Sequence, residues 1–407
     1  MAIRPPRPEP PGSRHAATRT MLRSLLCTAQ AALSALALTA CTTIPTAFAP
    51  SAAVSRSAAA TVTALHRLVA DGAPGAAALA THDGRIAASR FATAGVADLR
   101  SGRRMGRLDH FRAGSLTKTL VATVVLQLVA ERKLALDDPA GARLPAGVPV
   151  TGAGGRSDLR RVTIRQLLDH TSGLFNYTED PRLSEQLHGT GFRAHRYDRY
   201  APAALLRIAL GHPPVAAPGA RYSYSNTNYL VLGLVIRAVT GHPYAAELGR
   251  RVLRPTDLYD TSFPGDDPAL PAPHGRSYSR IGEHRVDSTS LDPSRAGAAG
   301  EMVTTLGDLN RFFAALLGGR LLPPRQMAEL RSERATDGVY GLGLYATRLP
   351  CGVTVWGHNG DINGSYAQSA GTADGRHVVS YRINTDTPAR PADGTAVLTA
   401  EFCAPRT

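Results

Sequence analysis

The hydrophobic and polar positions predict a β-sheet built from the two ends of the chain. A short amphipathic helix over residues 61–70 precedes two apolar runs that flank Asp83-Gly84, a strong β-hairpin signal. Strand patterns return late in the chain, at residues 353–356, 366–370 and 377–383, with a second hairpin turn at Asp374-Gly375. Both ends therefore contribute strands, whereas the long middle segment has a different pattern.

The middle of the chain has the periodicity of helices separated by Pro- and Gly-rich loops. A run from residue 115 to about 132 is apolar on several faces, which predicts a largely buried helix. Further helices are predicted at residues 164–168, 203–210, 228–239 and 306–318, and a final one at 393–403. We therefore expect an α/β (α+β) fold over residues 61–405. Its antiparallel sheet is formed by the N- and C-terminal segments and flanked by helices, with a mainly helical subdomain inserted at about 133–300.

The first 50 residues have the pattern of a leader and signal peptide. Arg23 precedes an apolar run at 25–40 that is too short to span a bilayer. The run ends in Leu38-Thr39-Ala40-Cys41, which resembles a lipobox, while Ala47-Phe48-Ala49 offers ordinary cleavage instead. We expect export, either as an extracellular protein or anchored by lipid at Cys41 to the outer face of the membrane. The Ala- and Ser-rich residues 51–60 are predicted to be a flexible tether.

The charge is spread along the chain and does not indicate a nucleic-acid partner. The formal net charge of +14 over 407 residues includes Arg pairs but no dense basic run and no interleaved aromatic stripe. We interpret it as a solvated surface suited to an anionic cell envelope. We expect no nucleic-acid partner, and membrane association only through the possible N-terminal lipid.

Export would leave Cys351 and Cys403 as the cysteines of the folded part. Two cysteines in an oxidising compartment most simply form a disulfide. In the chain-entropy model, closing the loop between these two cysteines would stabilise the folded state by about 4 kcal/mol. Two buried free thiols are the alternative.

The chain uses Arg wherever a cation suffices, so its lysines are conspicuous. Of 46 basic residues only Lys118 and Lys133 are lysines. Lys118 follows Ser115 by three residues at the head of the long apolar helix, so a helix places both side chains on one face. A desolvated lysine can lose its proton and activate a serine hydroxyl, which arginine cannot do. The alternative is a capping Ser and a solvated Lys.

Two later motifs could complete such a site. Tyr224-Ser225-Asn226 offers a phenol whose pKa a nearby cation could lower, and an amide that could orient a substrate carbonyl or the lysine. Gly357-His358-Asn359-Gly360-Asp361 follows a predicted strand, and its glycines permit close approach of a ligand. The backbone N–H of Asp361 could join that of Ser115 as an oxyanion hole. Polar turns with a surface histidine are the alternative interpretation of both motifs.

Taken together, Ser-x-x-Lys, Tyr-Ser-Asn and His-x-Gly in this order resemble the active-site set of the serine β-lactamase and penicillin-binding family. The resemblance is to the branch of class C β-lactamases and D-alanyl-D-alanine carboxypeptidases, and it covers residues from about 60 to 405. It extends to four other segments: Phe111-Arg112-Ala113-Gly114-Ser115, Leu136-Asp137-Asp138-Pro139, Leu167-Leu168-Asp169-His170-Thr171-Ser172-Gly173-Leu174 and Tyr340-Gly341-Leu342-Gly343-Leu344.

The resemblance implies a role for each motif residue. Ser115 would be the acylated nucleophile, with Lys118 and Tyr224 sharing proton transfer, and either of the two could be the base. Asn226 would hold the substrate amide, and His358 would support Tyr224 and the leaving group. Backbone N–H groups of Ser115 and Asp361 would bind the oxyanion. The resemblance implies no cofactor and no metal.

The substrate is where the resemblance divides. Carboxypeptidases of this branch hold a terminal carboxylate with a cation after the Tyr-Gly-Leu-Gly-Leu strand and a hydroxyl after His-x-Gly. This chain has Tyr345 at the first place, with Arg348 three residues later, and Asp361 at the second. Candidate substrate-binding residues are Asn359, Gly360, Tyr345 and Arg348.

We expect first a D-alanyl-D-alanine carboxypeptidase-type peptidase acting on cell-wall stem peptides of peptidoglycan. A β-lactamase and an esterase of the same family are the alternatives, with β-lactam or small ester substrates. A non-catalytic penicillin sensor is a further alternative. It would be expected to lack Ser115, Lys118 or Tyr224, and all three are present.

Overall fold

The computed structural model describes residues 52–83, 89–152, 155–386 and 394–403, with side chains from residue 56 onward. The predicted signal peptide, the possible lipobox at Cys41 and the alternative cleavage site lie outside these residues. Within them, no helix combines the length and the apolar character needed to cross a bilayer.

The centre of the fold is a six-stranded antiparallel sheet made from both ends of the chain, as predicted. Its strand order is β2-β1-β10-β9-β8-β7, so the first hairpin pairs with the last strand. The strands are β1 (Gly75–His82), β2 (Arg90–Gly95), β7 (Tyr345–Arg348), β8 (Thr354–Ile362), β9 (Ser365–Gly371) and β10 (His377–Ile383). Two short pairs lie outside the sheet: β3 (Phe111–Arg112) with β6 (Val303–Thr304), and β4 (Tyr278–Ile281) with β5 (His284–Asp287).

Helices cover the sheet, and most others lie in the middle of the chain. The helix α1 packs against β1, β2 and α11, while α9 packs against β1, β9 and β10. The helices are α1 (Ala52–Ala70), α2 (Thr117–Ala130), α3 (Ile164–Leu168), α4 (Pro181–His188), α5 (Phe192–His195), α6 (Pro202–Gly211), α7 (Asn226–Thr240), α8 (Tyr244–Leu248), α9 (Leu306–Leu317), α10 (Pro324–Leu330) and α11 (Ala396–Phe402). The largest core cluster joins α2, α7 and α9, and α2 is buried along nearly its whole length.

The predicted tether at 51–60 is wrong, because α1 already begins at Ala52. Alanine has the highest intrinsic helix propensity, so an Ala-rich segment becomes helical once it has a surface to pack on. That surface is α11, which α1 contacts, and Ser57 within the segment is buried. The first hairpin is present, but the described part of its return strand is Arg90–Gly95.

The strand β7 at Tyr345–Arg348 had no predicted counterpart, because its four residues are too few to show an alternating pattern. Cys351 and Cys403 are paired, with their Cα atoms 5.6 Å apart. This pair joins the turn after β7 to the end of α11.

Candidate active site

Ser115 lies in a tight turn that leads into α2. The turn spans Gly114–Leu116, and Gly114 has a φ of +54°, a left-handed conformation that favours glycine. The Thr117 hydroxyl donates to the Gly114 carbonyl at 2.7 Å, and the Ala113 N–H donates to Met302 O at 2.8 Å. These bonds hold the serine at the N-terminal end of a buried helix, where backbone N–H groups favour negative charge.

Lys118 is completely buried one turn after Ser115, and its amine contacts three oxygens. Its Nζ lies 2.9 Å from Ser115 Oγ, 2.8 Å from Asn226 Oδ1 and 2.7 Å from the carbonyl oxygen of Ala299. No carboxylate in the described part of the chain forms an ion pair with it. Burial without a counter-charge lowers the pKa of the Lys118 amine well below its usual value. The site therefore favours a neutral amine.

Tyr224 approaches Ser115 from the loop before α7. Its hydroxyl donates to Ser115 Oγ at 2.8 Å, and Lys118 Nζ lies 4.9 Å from its ring centroid. The ring packs on His170, with centroids 4.2 Å apart. Burial raises the pKa of the Tyr224 phenol, although its bond to Ser115 opposes the rise. Tyr224 is therefore a proton donor in the free protein, and Lys118 is the group with an available lone pair.

The strand β8 passes very close to the serine turn, as the candidate oxyanion hole requires. A Cβ atom at Gly360 would lie 1.8 Å from Ala113 O and 2.9 Å from Ser115 N, and one at Gly114 would lie 2.7 Å from Asp361 N. Only glycine fits at either position. The contact brings the backbone nitrogens of Ser115 and Asp361 together beside the hydroxyl. Beyond Gly357, β8 continues without β7 as its partner, which leaves that edge open to a substrate.

Two cavities meet at Ser115 and Asp361, which line both. The larger, about 400 Å³, has aromatic walls that include Tyr224, Tyr340 and Tyr345. The smaller, about 120 Å³, has more polar walls, and its lining residues are Tyr177, Thr178, Leu187, His188, Asn226, Arg295, Ala296, Ala299, Gly300, Ile362 and Asn363. A molecule bound at Ser115 could therefore extend into both cavities.

His358 lines the larger cavity and contacts Tyr340. Its Nε2 lies 2.8 Å from the Tyr340 hydroxyl, and its Nδ1 contacts the Asn359 carbonyl oxygen. Among the hydrogen bonds of the described residues, none joins His358 to Tyr224. Burial lowers the pKa of His358 to about 3, so the imidazole is neutral. His358 therefore contacts Tyr340, which is in ring contact with Tyr224, and its predicted support of Tyr224 would act through that ring.

The candidate substrate-binding residues separate into two groups. Tyr345 lines the larger cavity, and its hydroxyl donates to Asn359 Oδ1 at 2.9 Å. Gly360 forms the close approach to Ser115. Arg348 lies at the exposed far end of β7 and lines neither cavity. Adjacent strand residues point to opposite faces, so three positions after Tyr345 the side chain leaves the cleft.

Several residues of the site have no separate signal in the sequence. The Ala299 carbonyl that binds Lys118 belongs to an Ala- and Gly-rich turn, where any residue could supply the same oxygen. Tyr340 and His170 occur in segments that resemble the family, but only the fold places them against Tyr224. Arg295 is buried, lines the smaller cavity and donates to Asn363 Oδ1. Surface arginines are common in this chain, so its sequence does not distinguish this one.

Comparison with known proteins places this geometry in a family. The Beta-lactamase family profile matches residues 59–404. The chain is 35% identical over 205 residues to the esterase EstB of Burkholderia gladioli, covering 48% of each protein. It is 28% identical over 283 residues to penicillin-binding protein 4 of Amycolatopsis lactamdurans, covering 63% of this chain and 67% of that protein. The chain thus spans about half of the length of EstB.

Among solved structures, a D-stereospecific amidohydrolase from a Streptomyces species has the same fold. It is 44% identical to this chain with a TM-score of 0.78, and the match covers 86% of this chain and 99% of that one.

Proposed function

Because the chain belongs to the beta-lactamase family of serine hydrolases, we propose that it is a D-stereospecific amidohydrolase working through an acyl-enzyme on Ser115. One observation carries the proposal: Ser115 Oγ lies within hydrogen-bond distance of both a buried, uncompensated lysine and a protonated tyrosine. This arrangement supplies a nucleophile, a base and an acid around a single atom.

The hydrogen bonds at Lys118 favour it as the base. A neutral amine has two N–H groups and one lone pair, and two of its three partners, Asn226 Oδ1 and Ala299 O, can only accept. The lone pair is then left for the Ser115 hydroxyl, which donates its proton to Nζ as Oγ attacks the substrate carbonyl. Tyr224, already donating to Oγ, is placed to pass a proton to the leaving amine.

Backbone N–H groups would stabilise the negative charge that develops on the substrate oxygen. As the carbonyl carbon becomes tetrahedral, its oxygen would accept from the N–H groups of Ser115 and Asp361. Collapse of this intermediate breaks the amide bond and leaves an ester on Ser115. The Lys118 ammonium then returns a proton to the Tyr224 phenolate. Water attacks the ester and gives a proton to Lys118, while Tyr224 donates its proton to Oγ as the acid is released; a second transfer from Lys118 to Tyr224 restores the free enzyme.

Asp361 suggests which substrates enter. It lines both cavities beside the reacting serine, and no described Arg, Lys or His forms an ion pair with it. The Asp361 side chain is exposed to the cleft, and its surroundings, including the negative charge of Asp386, raise its pKa to about 8. A ligand cation would favour the ionised carboxylate, and that carboxylate would repel a ligand carboxylate. We therefore propose a substrate with a free α-ammonium group, as in an amide or peptide of a D-amino acid. The 44% identity to the Streptomyces amidohydrolase supports the same choice.

The D-alanyl-D-alanine carboxypeptidase remains the competing proposal. It needs a cation for the terminal carboxylate, and Arg348 lies outside the cleft. Arg295 is the one arginine among the described residues that line the two cavities, and it already donates to Asn363. The site therefore offers less to a carboxylate than to an ammonium. Esterase and β-lactamase activities use the same acyl-enzyme and differ in the leaving group.

The test compares acyl donors that differ either in the charge of the α-amino group or in the configuration at Cα. D-alanine p-nitroanilide, its N-acetyl derivative and the L-enantiomer are assayed with wild type, Asp361→Asn and Ser115→Ala. We expect turnover of the free D-amine, little of the L-enantiomer, and none by Ser115→Ala. In Asp361→Asn we expect kcat/KM to fall about 10- to 100-fold for the free amine only, because a charge-assisted hydrogen bond is lost.

Other outcomes distinguish the alternatives. Release of D-alanine from a blocked D-alanyl-D-alanine peptide, without cleavage of the free amine, would replace the amidohydrolase by the carboxypeptidase. Hydrolysis of penicillin or of p-nitrophenyl butyrate alone would favour the lactamase or the esterase. Failure of every substrate would remove the enzyme proposal.

Export remains part of the proposal. The N-terminal mass of the mature protein from its native host tests it. A diacylated Cys41 would support the lipoprotein, an N-terminus after Ala49 would support secretion, and an intact leader would argue against both.

A further inference from the structure

A cluster of two histidines and a glutamate lies at the end of the central sheet. His82 ends β1 and His377 begins β10, and the two residues are directly paired across the strands. Glu401 reaches them from α11, with its side chain fully buried. The imidazole rings lie beside each other with centroids 3.9 Å apart and are tilted by 31°. Three separate elements therefore direct ligand-type atoms toward one point.

The two distances from the Glu401 carboxylate oxygen to the imidazole nitrogens are close to those of a tetrahedral metal site. Glu401 Oε1 lies 3.3 Å from His82 Nε2 and 3.0 Å from His377 Nε2, and one ligand atom of each residue lies within 4.8 Å of the others. Zinc–ligand bonds of about 2.0–2.1 Å in a tetrahedron separate neighbouring ligand atoms by about 3.3 Å. We propose that His82, His377 and Glu401 form a binding site for a divalent transition metal, with Zn²⁺ as its natural occupant.

Arg90 holds the place of the metal when none is bound. Its guanidinium contacts Glu401 Oε1 and lies 3.0 Å from His82 Nε2. One carboxylate oxygen thus faces three nitrogen groups, a crowded arrangement that a single divalent cation replaces. The Arg90 side chain is 22% exposed, so it can swing toward solvent as the metal enters. Competition by this internal cation makes the site weaker than an open triad would be.

The surroundings prepare the ligands. The Thr61 hydroxyl donates to Glu401 Oε2 at 2.9 Å, which orients the carboxylate and leaves Oε1 for the metal.

The site is separate from the proposed chemistry. None of its residues lines the two cavities at Ser115. It joins β1 and β10 to α11, so a bound metal stabilises the union of the two chain ends. We therefore expect metal to raise the unfolding temperature and to leave kcat/KM unchanged.

The test is calorimetric titration of the full chain, stripped with EDTA and free of any polyhistidine tag, with ZnCl₂. We expect one Zn²⁺ per chain, and a tetrahedral visible spectrum when Co²⁺ is used. The His82 side chain is 36% exposed, so His82→Ala should fold. We expect this variant to lose at least tenfold in Zn²⁺ affinity. His377→Ala should do the same. His195→Ala, which removes a histidine paired with Asp198 elsewhere, is the matched control and binds as wild type.

Arg90→Gln makes the test sharper. Removal of the competing guanidinium should raise Zn²⁺ affinity about tenfold and enlarge the metal-dependent rise in unfolding temperature. The proposal is overturned if wild type and Arg90→Gln bind no Zn²⁺, or if both histidine variants bind as tightly as wild type. It is also overturned if Co²⁺ gives an octahedral spectrum, because the metal would then lie on another set of ligands.

Discussion

Two regions of this protein bury an ionisable side chain, and they treat its charge in opposite ways. Lys118 is enclosed by neutral partners, and desolvation lowers the pKa of its amine. Glu401 is equally enclosed, but Arg90 and two histidines surround its carboxylate and hold its pKa far below the usual value despite burial. Burial favours the neutral amine of Lys118 in the first region, whereas the groups around Glu401 keep its carboxylate ionised in the second.

The difference separates reactivity from stability. A buried ionisable group without a counter-charge costs folding energy, and at Lys118 this cost accompanies the neutral amine that the proposed mechanism needs. A buried group with partners on β1, β2 and β10 contributes to stability and does no chemistry while it is paired. Substitutions in the first region should therefore change turnover, and those in the second should change unfolding.

Lys118→Met should have the largest effect. Methionine fills the space but cannot accept a proton, so we expect kcat/KM to fall about 10³-fold or more. The kcat/KM of Lys118→Arg should fall by a similar factor, because arginine stays protonated. The matched control is Lys133→Met, which changes the chain's other lysine, paired with Glu131 on the surface. Retention of activity in Lys118→Met would show that Lys118 is not the base.

The pH profile tests the same point in the wild type. Since the pKa of Lys118 is lowered, its amine is neutral above that pKa, and activity should fall as the pH drops through it. The acidic limb should lie well below the ordinary lysine value of 10.5. The same profile measured for Asp361→Asn with an N-acetyl substrate removes the titration of Asp361. An alkaline-only optimum near the ordinary lysine value would contradict the assignment.

Glu401→Gln should destabilise the fold without affecting turnover. Removal of one partner from a buried ionic cluster costs about 3 kcal/mol, measured as the free energy of unfolding in urea at pH 7. Because folding lowers the pKa of Glu401, its stabilisation is present above the ordinary value of 4.5 and is lost as the pH falls below it.

The variant should therefore show a smaller loss of stability between neutral and acidic pH than the wild type. Glu283→Gln, at an exposed position, is the control. A change of more than twofold in the kcat/KM of folded Glu401→Gln would show that the two regions are coupled, and it would contradict the separation of reactivity from stability.

Tyr224→Phe should lower kcat/KM about 10²-fold and keep the stacking on His170. It removes the donor to Ser115 Oγ without opening a cavity. Acyl-enzyme formed with a good leaving group, such as p-nitrophenol, should be less affected than that from an amide, since the phenolate leaves without a proton. Tyr259→Phe, on the exposed surface, controls for the substitution itself. An equal loss for both leaving groups would argue against Tyr224 as the acid.

Thr61→Val should have the smallest effect. It removes the bond to Glu401 Oε2 and should lower the free energy of unfolding by about 1–2 kcal/mol. The matched control is Thr63→Val, whose hydroxyl bonds only to the Ala59 carbonyl within the same exposed helix turn. If both variants unfold alike, Thr61 does not support the carboxylate.

Much of the fold and the centre of the site follow from local patterns. The hairpin signals and the late strands predicted a sheet built from both ends of the chain, and the apolar run after Ser115 predicted the buried helix. The predicted tether was wrong because helix formation in an Ala-rich segment depends on a docking surface, here α11, that lies far away in sequence. The partner of His358 could not be predicted, because a buried imidazole bonds to whichever hydroxyl the packing provides, and that is Tyr340.

The sequence by itself determined which groups could react: a scarce lysine one helical turn from a serine, a tyrosine with an amide two residues on, and glycines where β8 meets the serine turn. The tertiary structure decided their states. Only the packing of α2 excludes water and counter-charge from Lys118, and only strand register and alternation remove Arg348 from the cleft. The same register sets His82 beside His377 and beneath Glu401, because contacts between residues nearly 300 positions apart depend on the whole fold.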